Sequence, residues 1–334
     1  MEWGEPLAGI SWIPAGGFAL GEAGGVTDAG LPSAEGIVCC LGGGVYEVLL
    51  DDGNVVEAAL RGRLKLEVRT GDKVVVGDRV GLERVGGAWV VERVGPRRTA
   101  IVRRGLRGRH PKVVAANLDR AMVVVAAREP DLSHGLVDRL LAVAEDSGMH
   151  PVLVVNKVDL DGGREVAREV SALYGGVGYQ VLPTSALTGE GVARLTGVLC
   201  QGATALVGPS GVGKSSLLNA IDPGLELRIG DLSRGIRRGR HTTVGVRLVP
   251  LACGGLVVDT PGFGDVGLWE VAPEDVEHCF PDLAAHRGGC RHRRCAHLKE
   301  EGCAVRAAVE RGDVAESRYR SYVALRGEVE RSMS

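Results

Sequence analysis

The stretch GPSGVGKSS, Gly208–Ser216, carries the pattern G-x-x-x-x-G-K-[ST], complete from Gly208 to Ser215. It follows the apolar run Ala203–Val207 and precedes a stretch of helical character, Ser215–Ala220. Strand, Gly-rich loop and helix in that order let backbone N–H groups close around phosphates, aided by the positive end of the helix. Upstream lies NKVD, Asn156–Asp159, directly after the apolar run Pro151–Val155. In an ordinary P-loop GTPase this guanine-reading tetrapeptide comes well after the phosphate loop. Here the order is reversed, so the chain reads as circularly permuted.

Each residue of these motifs has an expected task. Gly208, Pro209, Ser210, Gly211, Val212, Gly213, Lys214, Ser215 and Ser216 form the phosphate cradle. Lys214 is expected to reach the β- and γ-phosphates, and the Ser215 hydroxyl to bind Mg²⁺. In Asn156, Lys157, Val158 and Asp159, the carboxylate can accept from the guanine ring N–H and exocyclic amine, a donor pair adenine lacks. The Lys157 stem can cover the base, and Asn156 can brace neighbouring loops. N-K-x-D alone is a weak signal. Thr184, Ser185 and Ala186 follow the next strand, however, where a backbone N–H can meet guanine O6. The repeated strand-end motifs favour GTP over ATP.

Downstream, DTPG at Asp259–Gly262 closes the run LVVD. Asp259 is expected to hold Mg²⁺ through water, and the Gly262 N–H to sense the γ-phosphate. Arg237–Thr243, RRGRHTT, suits a switch loop in which Thr243, or alternatively Thr242, closes over the metal; either threonine can instead simply open the following strand. Phe263 stands where a water-orienting Gln is often found, so intrinsic hydrolysis is expected to be slow. His241 is the candidate catalytic residue, the alternative being a surface histidine that serves RNA contact or loop packing.

Near the C-terminus the order is Cys290-x(4)-Cys295-x-His297-x(5)-Cys303. Three thiolates and an imidazole meet the tetrahedral demand of one structural Zn²⁺ and leave no position open for catalysis. His278, Cys279, His286 and His292 lie close enough to be rival ligands, and Arg287, Arg291, Arg293, Arg294 and Lys299 make the region basic. The remaining Cys39, Cys40, Cys200 and Cys253 lie in apolar runs and read as small core residues.

The 334 residues exceed one compact unit, and a net charge of −2 excludes a globally basic nucleic-acid binder, leaving only local patches. No long apolar run and no secretory pattern appear, so the expectation is a cytoplasmic protein with no membrane contact. Only six of the 40 basic residues are Lys, and two of those, Lys157 and Lys214, sit in the nucleotide motifs. The chain divides into four segments: a flexible Gly-rich leader at 1–33, an RNA-binding OB-fold barrel at 34–97, the permuted GTPase domain at 98–266 and a mostly helical zinc-binding domain at 267–334. The barrel rests on the short β-rich runs IVCCL, VYEVLL, RLKLEV, KVVVGDRVGL and AWVVERV. Arg97–Lys112, with seven basic residues and no acidic one, reads as a basic linker suited to RNA phosphates, or as a solvated loop. Asp313 and Glu316 suggest a capping box for the last helix.

VVNKVDL, TSALTGEG, GPSGVGKSSLLNA, GRHTT, DTPGF and the Cys/His cluster, in that order over about residues 36–330, resemble the RsgA (YjeQ) family of circularly permuted GTPases. The resemblance implies a GTP hydrolase that acts in late maturation of the small (30S) ribosomal subunit and is stimulated by it. It further implies 16S rRNA as partner, His241 in catalysis, Mg²⁺ with GTP or GDP, one Zn²⁺, and a monomer. His292 and Glu301 depart from the family pattern, a matter of local packing or ligand choice. The alternative is a nucleotide-gated RNA-binding module in which hydrolysis is incidental.

Overall fold

The computed structural model describes residues 33–42, 44–62, 74–103, 112–225, 246–259, 268 and 271–333. Of the leader, Ser33 alone is described, and it opens the first strand.

The N-terminal part is a closed five-stranded barrel, built from β1 (Ser33–Gly42), β2 (Val45–Leu50), β3 (Val55–Leu60), β4 (Arg79–Val85) and β5 (Ala88–Val94). β3 and β5 run parallel, the other neighbours are antiparallel, and β1 closes the ring against β4. Alternate residues such as Val38, Val48, Ala58, Leu82 and Val91 point inward and fill it. The third strand differs from the one expected from the β-rich runs. RLKLEV (63–68) lies outside the described residues, whereas Val55–Leu60 forms β3; its glutamate and alanines weaken the β signal.

The basic run after the barrel is not a simple linker. Ala100–Arg103 (β6) and Lys112–Ala116 (β7) pair as an antiparallel hairpin. Arg97 grips the fully buried Asp78 through two nitrogens at 2.7 and 2.8 Å, and Arg98 reaches Asp119 at 3.1 Å. These two guanidinium groups join the barrel to the next part of the chain. Residues 104–111 lie outside the described residues.

The central sheet has six strands in the order β10-β9-β8-β11-β13-β12. They are β8 (Arg120–Ala126), β9 (His150–Asn156), β10 (Gln180–Pro183), β11 (Ala203–Val207), β12 (Arg247–Pro250) and β13 (Leu256–Asp259), with only β12 antiparallel. Numbered cyclically from β11, the order reads 6-5-4-1-3-2, a doubly wound sheet whose chain begins in a different place. Both faces are covered, which is why β8 after Arg120, and β11 apart from Thr204, read as apolar runs. Helices α1 (His134–Asp146) and α2 (Gly163–Val177) cover one face, α3 (Val192–Leu199) and α4 (Lys214–Ile221) the other.

The C-terminal part is mostly helical: a 3₁₀ helix at Pro273–Cys279, then α5 (Pro281–Ala284), α6 (Ala304–Arg311) and α7 (Glu316–Met333). Its Phe280, Leu283, Tyr322 and Leu325 share one apolar cluster with Leu140 and Leu141 of α1. The capping box does not form: α7 starts at Glu316 itself, and the Asp313 carboxylate pairs with Arg311 at 2.8 Å. A second correction concerns Cys200 and Cys253, which are joined by a disulfide rather than packed as separate core residues. Strand-end topology brings them together, and sequence separation concealed it.

Candidate nucleotide site and metal centre

The C-terminal ends of β8, β9, β10 and β11 lie along one edge of the sheet, where open α/β folds bind ligands. The loop after β11 runs into α4, whose first residue is Lys214. Lys214 Nζ donates to the carbonyl oxygens of Gly208 at 2.8 Å and Pro209 at 2.9 Å, so the ammonium lies over its own loop. Ser215 follows, only 8% exposed. Gly213 has φ +97°, and a Cβ there would lie 2.3 Å from Asn156 Nδ2. Glycine is required at this point for a steric reason as well as a conformational one.

That close approach marks the centre of the site. Asn156 is 1% exposed at the end of β9. Its Nδ2 donates to the Val212 carbonyl at 2.8 Å, while its Oδ1 accepts from the Ala186 N–H at 3.2 Å and the Thr184 hydroxyl at 3.4 Å. One amide thereby connects the loops after β9, β10 and β11. Lys157 adopts φ +63°, and its Nζ donates to the Glu129 carbonyl in the loop after β8. Between these loops opens a cavity of about 370 Å³, lined by Glu129, Asn156, Lys157, Asp159, Leu160, Ala186, Leu187, Gly213 and Ser216. Leu187, 85% exposed at its wall, offers apolar surface to a planar ring. Val158 is buried beneath, its N–H given to the Thr184 carbonyl.

The structure brings Asn156, Lys157, Asp159, Ala186, Gly213 and Ser216 around one cavity. Ser185 instead is buried, with its N–H donated to Glu190 at 2.9 Å, and its hydroxyl accepts from the Thr188 N–H. The Ser185 N–H is thus engaged within its own loop, and the Ala186 N–H on Asn156 at the end of β9. Register places the Asp259 backbone beside Leu206, next to the start of the phosphate loop. His241, Thr242, Thr243, Gly262 and Phe263 lie outside the described residues.

Cys290, Cys295, His297 and Cys303 converge, with one ligand atom from each within 4.8 Å of the others. His297 turns Nδ1 toward the thiols, 3.3 Å from Cys303 Sγ and 3.6 Å from Cys290 Sγ. Its Nε2 bonds the buried Glu277, which Arg287 also pairs at 2.5 Å. A carboxylate behind a histidine fixes the tautomer and orientation a metal needs. The donor set and its inward-facing atoms fit one tetrahedral Zn²⁺. Among the rival ligands, His278 meets Arg287, His292 is exposed, and burial pushes the Cys279 thiol up to about 12. Glu300 shapes the loop by accepting from the N–H groups of Ala296, Leu298 and Lys299. Burial opposes ionisation of Glu300, yet these bonds bring it down to about 2. Nothing in the sequence marks Glu277 and Glu300, since acidic residues are common and their spacing carries no pattern.

Fold and site define a P-loop GTPase in circular permutation, with a barrel before it and a Cys₃His cluster after it. A family model described as RsgA GTPase matches residues 94–269. A small ribosomal subunit biogenesis GTPase RsgA from Gemmatimonas aurantiaca is 44% identical over 301 residues, 89% of this chain and 98% of that protein. Its namesake from Moorella thermoacetica is 42% identical over 304 residues, 90% and 100%. The crystal structure of YjeQ from Thermotoga maritima superposes with a TM-score of 0.75 at 35% identity, covering 89% of this chain and 98% of that one. YloQ, described as a circularly permuted GTPase, gives 0.71 at 29%, covering 90% and 96%. The chain belongs to the RsgA GTPase family.

Proposed function

We propose that this protein hydrolyses GTP to GDP and phosphate while bound to the small (30S) ribosomal subunit, assists late maturation of that subunit, and is stimulated by it. The observation that carries the reading is the Asn156 amide, which joins phosphate loop, NKVD and TSA into one cavity. The relatives named as small ribosomal subunit biogenesis GTPases supply the target.

In this reading Asp159 accepts from the guanine N–H groups, with the Lys157 stem on one face and Leu187 at the wall. The loop at Ser185 and Ala186 faces O6. Gly208–Ser216 holds the phosphates, and Lys214 moves from its two carbonyls to the β- and γ-phosphates. Ser215, Thr243 and, through water, Asp259 are hard oxygen donors that would hold Mg²⁺, which would neutralise charge on the phosphate oxygens. Gly262 reads the γ-phosphate and His241 orients the attacking water. One Zn²⁺ on Cys290, Cys295, His297 and Cys303 is structural. The exposed Arg291, Arg293 and Arg294 beside it, together with the barrel, meet 16S rRNA. No helix among the described residues is long and apolar enough to cross a membrane. A cytoplasmic monomer, divided at 34–97, 98–266 and 267–334, completes the proposal.

The test is GTP turnover alone, with isolated 30S and with 50S subunits. Stimulation by 30S alone is expected. Tight GTP and 30S binding without stimulation would favour the nucleotide-gated RNA-binding module.

A further inference from the structure

Cys200 and Cys253 stand 53 positions apart, with Cα atoms 5.4 Å apart and their sulfurs bonded. Cys200 caps the C-terminus of α3 and is half-buried, whereas Cys253 is exposed in the turn between β12 and β13. They lie where β11 and β13 begin, at the sheet edge opposite the nucleotide cavity. The backbone alone holds them close. The Leu256 N–H donates to the Gly202 carbonyl at 3.0 Å, and a Cβ at Gly255 would sit 1.9 Å from the Leu199 carbonyl oxygen. The turn also closes on itself, Leu251 N–H to Gly255 O at 2.8 Å and Gly254 N–H to Leu251 O at 2.9 Å. Two thiols at these positions would stay within bridging distance, so the bond can form and break in the folded protein.

The same turn is tied to the phosphate loop. Asp222, which caps the C-terminus of α4, accepts from the Ala252 N–H at 2.8 Å, one residue before Cys253. α4 begins at Lys214, so the far end of the phosphate-loop helix is held by the turn that the sulfurs pin to α3. In sequence the bridged loop also encloses Arg237–Thr243. Cys39, Cys40 and Cys279 are buried, and Cys290, Cys295 and Cys303 belong to the metal cluster, which leaves Cys253 as the exposed cysteine.

We propose that Cys200 and Cys253 form a reversible thiol–disulfide site, oxidised by small disulfides of the glutathione class, whose closure clamps the segment carrying the phosphate loop. The Cys253 thiolate attacks one sulfur of the small disulfide and expels one small thiolate. The Cys200 thiolate then attacks Cys253 Sγ in the mixed disulfide and expels the second. Two protein thiols lose two electrons and two protons, and the small disulfide becomes two thiols; reduction is the reverse. In a reducing compartment such bonds are typically transient and redox-sensing rather than permanent. Closing a loop of this length restricts the unfolded chain and stabilises the folded one.

The experiment equilibrates the purified full-length protein in glutathione buffers from fully reduced to fully oxidised, alkylates it and maps the peptides. The Cys200 and Cys253 peptides should be alkylated at the reduced end and joined at the oxidised end. The reduced form should melt about 5–10 °C lower, and hydrogen exchange at Leu251–Leu256 and Lys214–Ile221 should be faster in it. Cys200→Ser and Cys253→Ser should each match the reduced form in every buffer; the second lies in an exposed turn and keeps the test valid if the first folds poorly. A bridge that survives fully reduced glutathione, thiols that remain free at the oxidised end, or an equal melting shift in the serine variants would overturn the proposal.

Discussion

Asn156 Nδ2 donates to the carbonyl oxygen of Val212 at 2.8 Å, across 56 positions of chain. The bond couples the loop after β9, which carries NKVD, to the loop between β11 and α4, although the permutation has exchanged their order. Strand ends that meet at one sheet edge need only be neighbours in space, so the spatial order of the strands matters and the position of the termini does not.

Asn156→Ala should therefore damage both halves of the site. The Val212 carbonyl and the Ala186 N–H lose their partner in a buried setting, at a cost of about 1–3 kcal/mol. GTP and GDP affinity should fall together, roughly 5- to 100-fold, in a fluorescent-nucleotide titration. A loss confined to GTP would show that the amide acts on the γ-phosphate instead.

Asp159→Asn tests base recognition. The amide can no longer accept from two guanine N–H groups, but it can donate to a xanthine oxygen. Affinity for GTP should drop by about 10- to 100-fold while that for XTP rises. Competition binding with the two nucleotides reads the exchange, and an unchanged preference would remove Asp159 from the base site.

Much of this architecture was legible in the chain. The central strands follow from apolar runs bounded by motifs: Ala203–Val207 and Pro151–Val155 fall within or coincide with β11 and β9 because buried parallel strands are continuous in their apolar character. The convergence of the four Cys and His residues was legible because thiols and imidazoles are scarce and their spacing is short. The features that escaped depend on contacts far apart in sequence. Glu277 meets His297 from 20 positions away, Cys200 meets Cys253 from 53, and Arg97 meets Asp78 across the barrel junction. Strand β3 escaped because Glu57 and two alanines dilute its pattern, although a closed barrel needs a strand there.

Glu277→Gln should weaken the metal centre without removing a ligand. The glutamine leaves a neutral group behind His297 Nε2, which lowers the basicity of Nδ1 and frees Arg287. Zinc affinity should fall by about 10- to 100-fold, measured by competition with a chromophoric chelator. Equal affinity would mean that Glu277 serves only Arg287.

Glu300 gives a pH signature. Burial opposes ionisation, yet its carboxyl lies well below the usual range, at about 2, because backbone N–H groups, those of Ala296, Leu298 and Lys299 among them, outweigh it. A depressed carboxyl contributes stability that is complete above the unfolded value near ~4.3 and is lost as pH falls through about 2. The stability gap between wild type and Glu300→Gln should be constant from neutral pH down to about 5 and then close toward about 2. Denaturant melts at stepped pH measure it, and a gap that widened in acid would reverse the assignment.

Arg318 ties α7 to α1 and α5 from inside their interface. The side chain is 1% exposed, bonds Asp138 of α1 at 2.8 Å and grips Asp282 of α5 at 2.7 and 3.0 Å. The Phe280 ring lies 4.9 Å from its guanidinium carbon. Arg318→Met keeps the volume of the stem but leaves two carboxylates in the interface without their cation. The loss should be about 3–5 kcal/mol, since a broken buried pair leaves uncompensated charge. Combining it with Asp138→Asn and Asp282→Asn should recover a large part of that loss, because neutral amides can be buried at far lower cost. Urea melts of the single and triple variants distinguish the cases. If the triple variant were no more stable than Arg318→Met, stranded charge would not be the cause, and the loss would have to be assigned to the guanidinium's packing against Phe280 and its neighbouring rings.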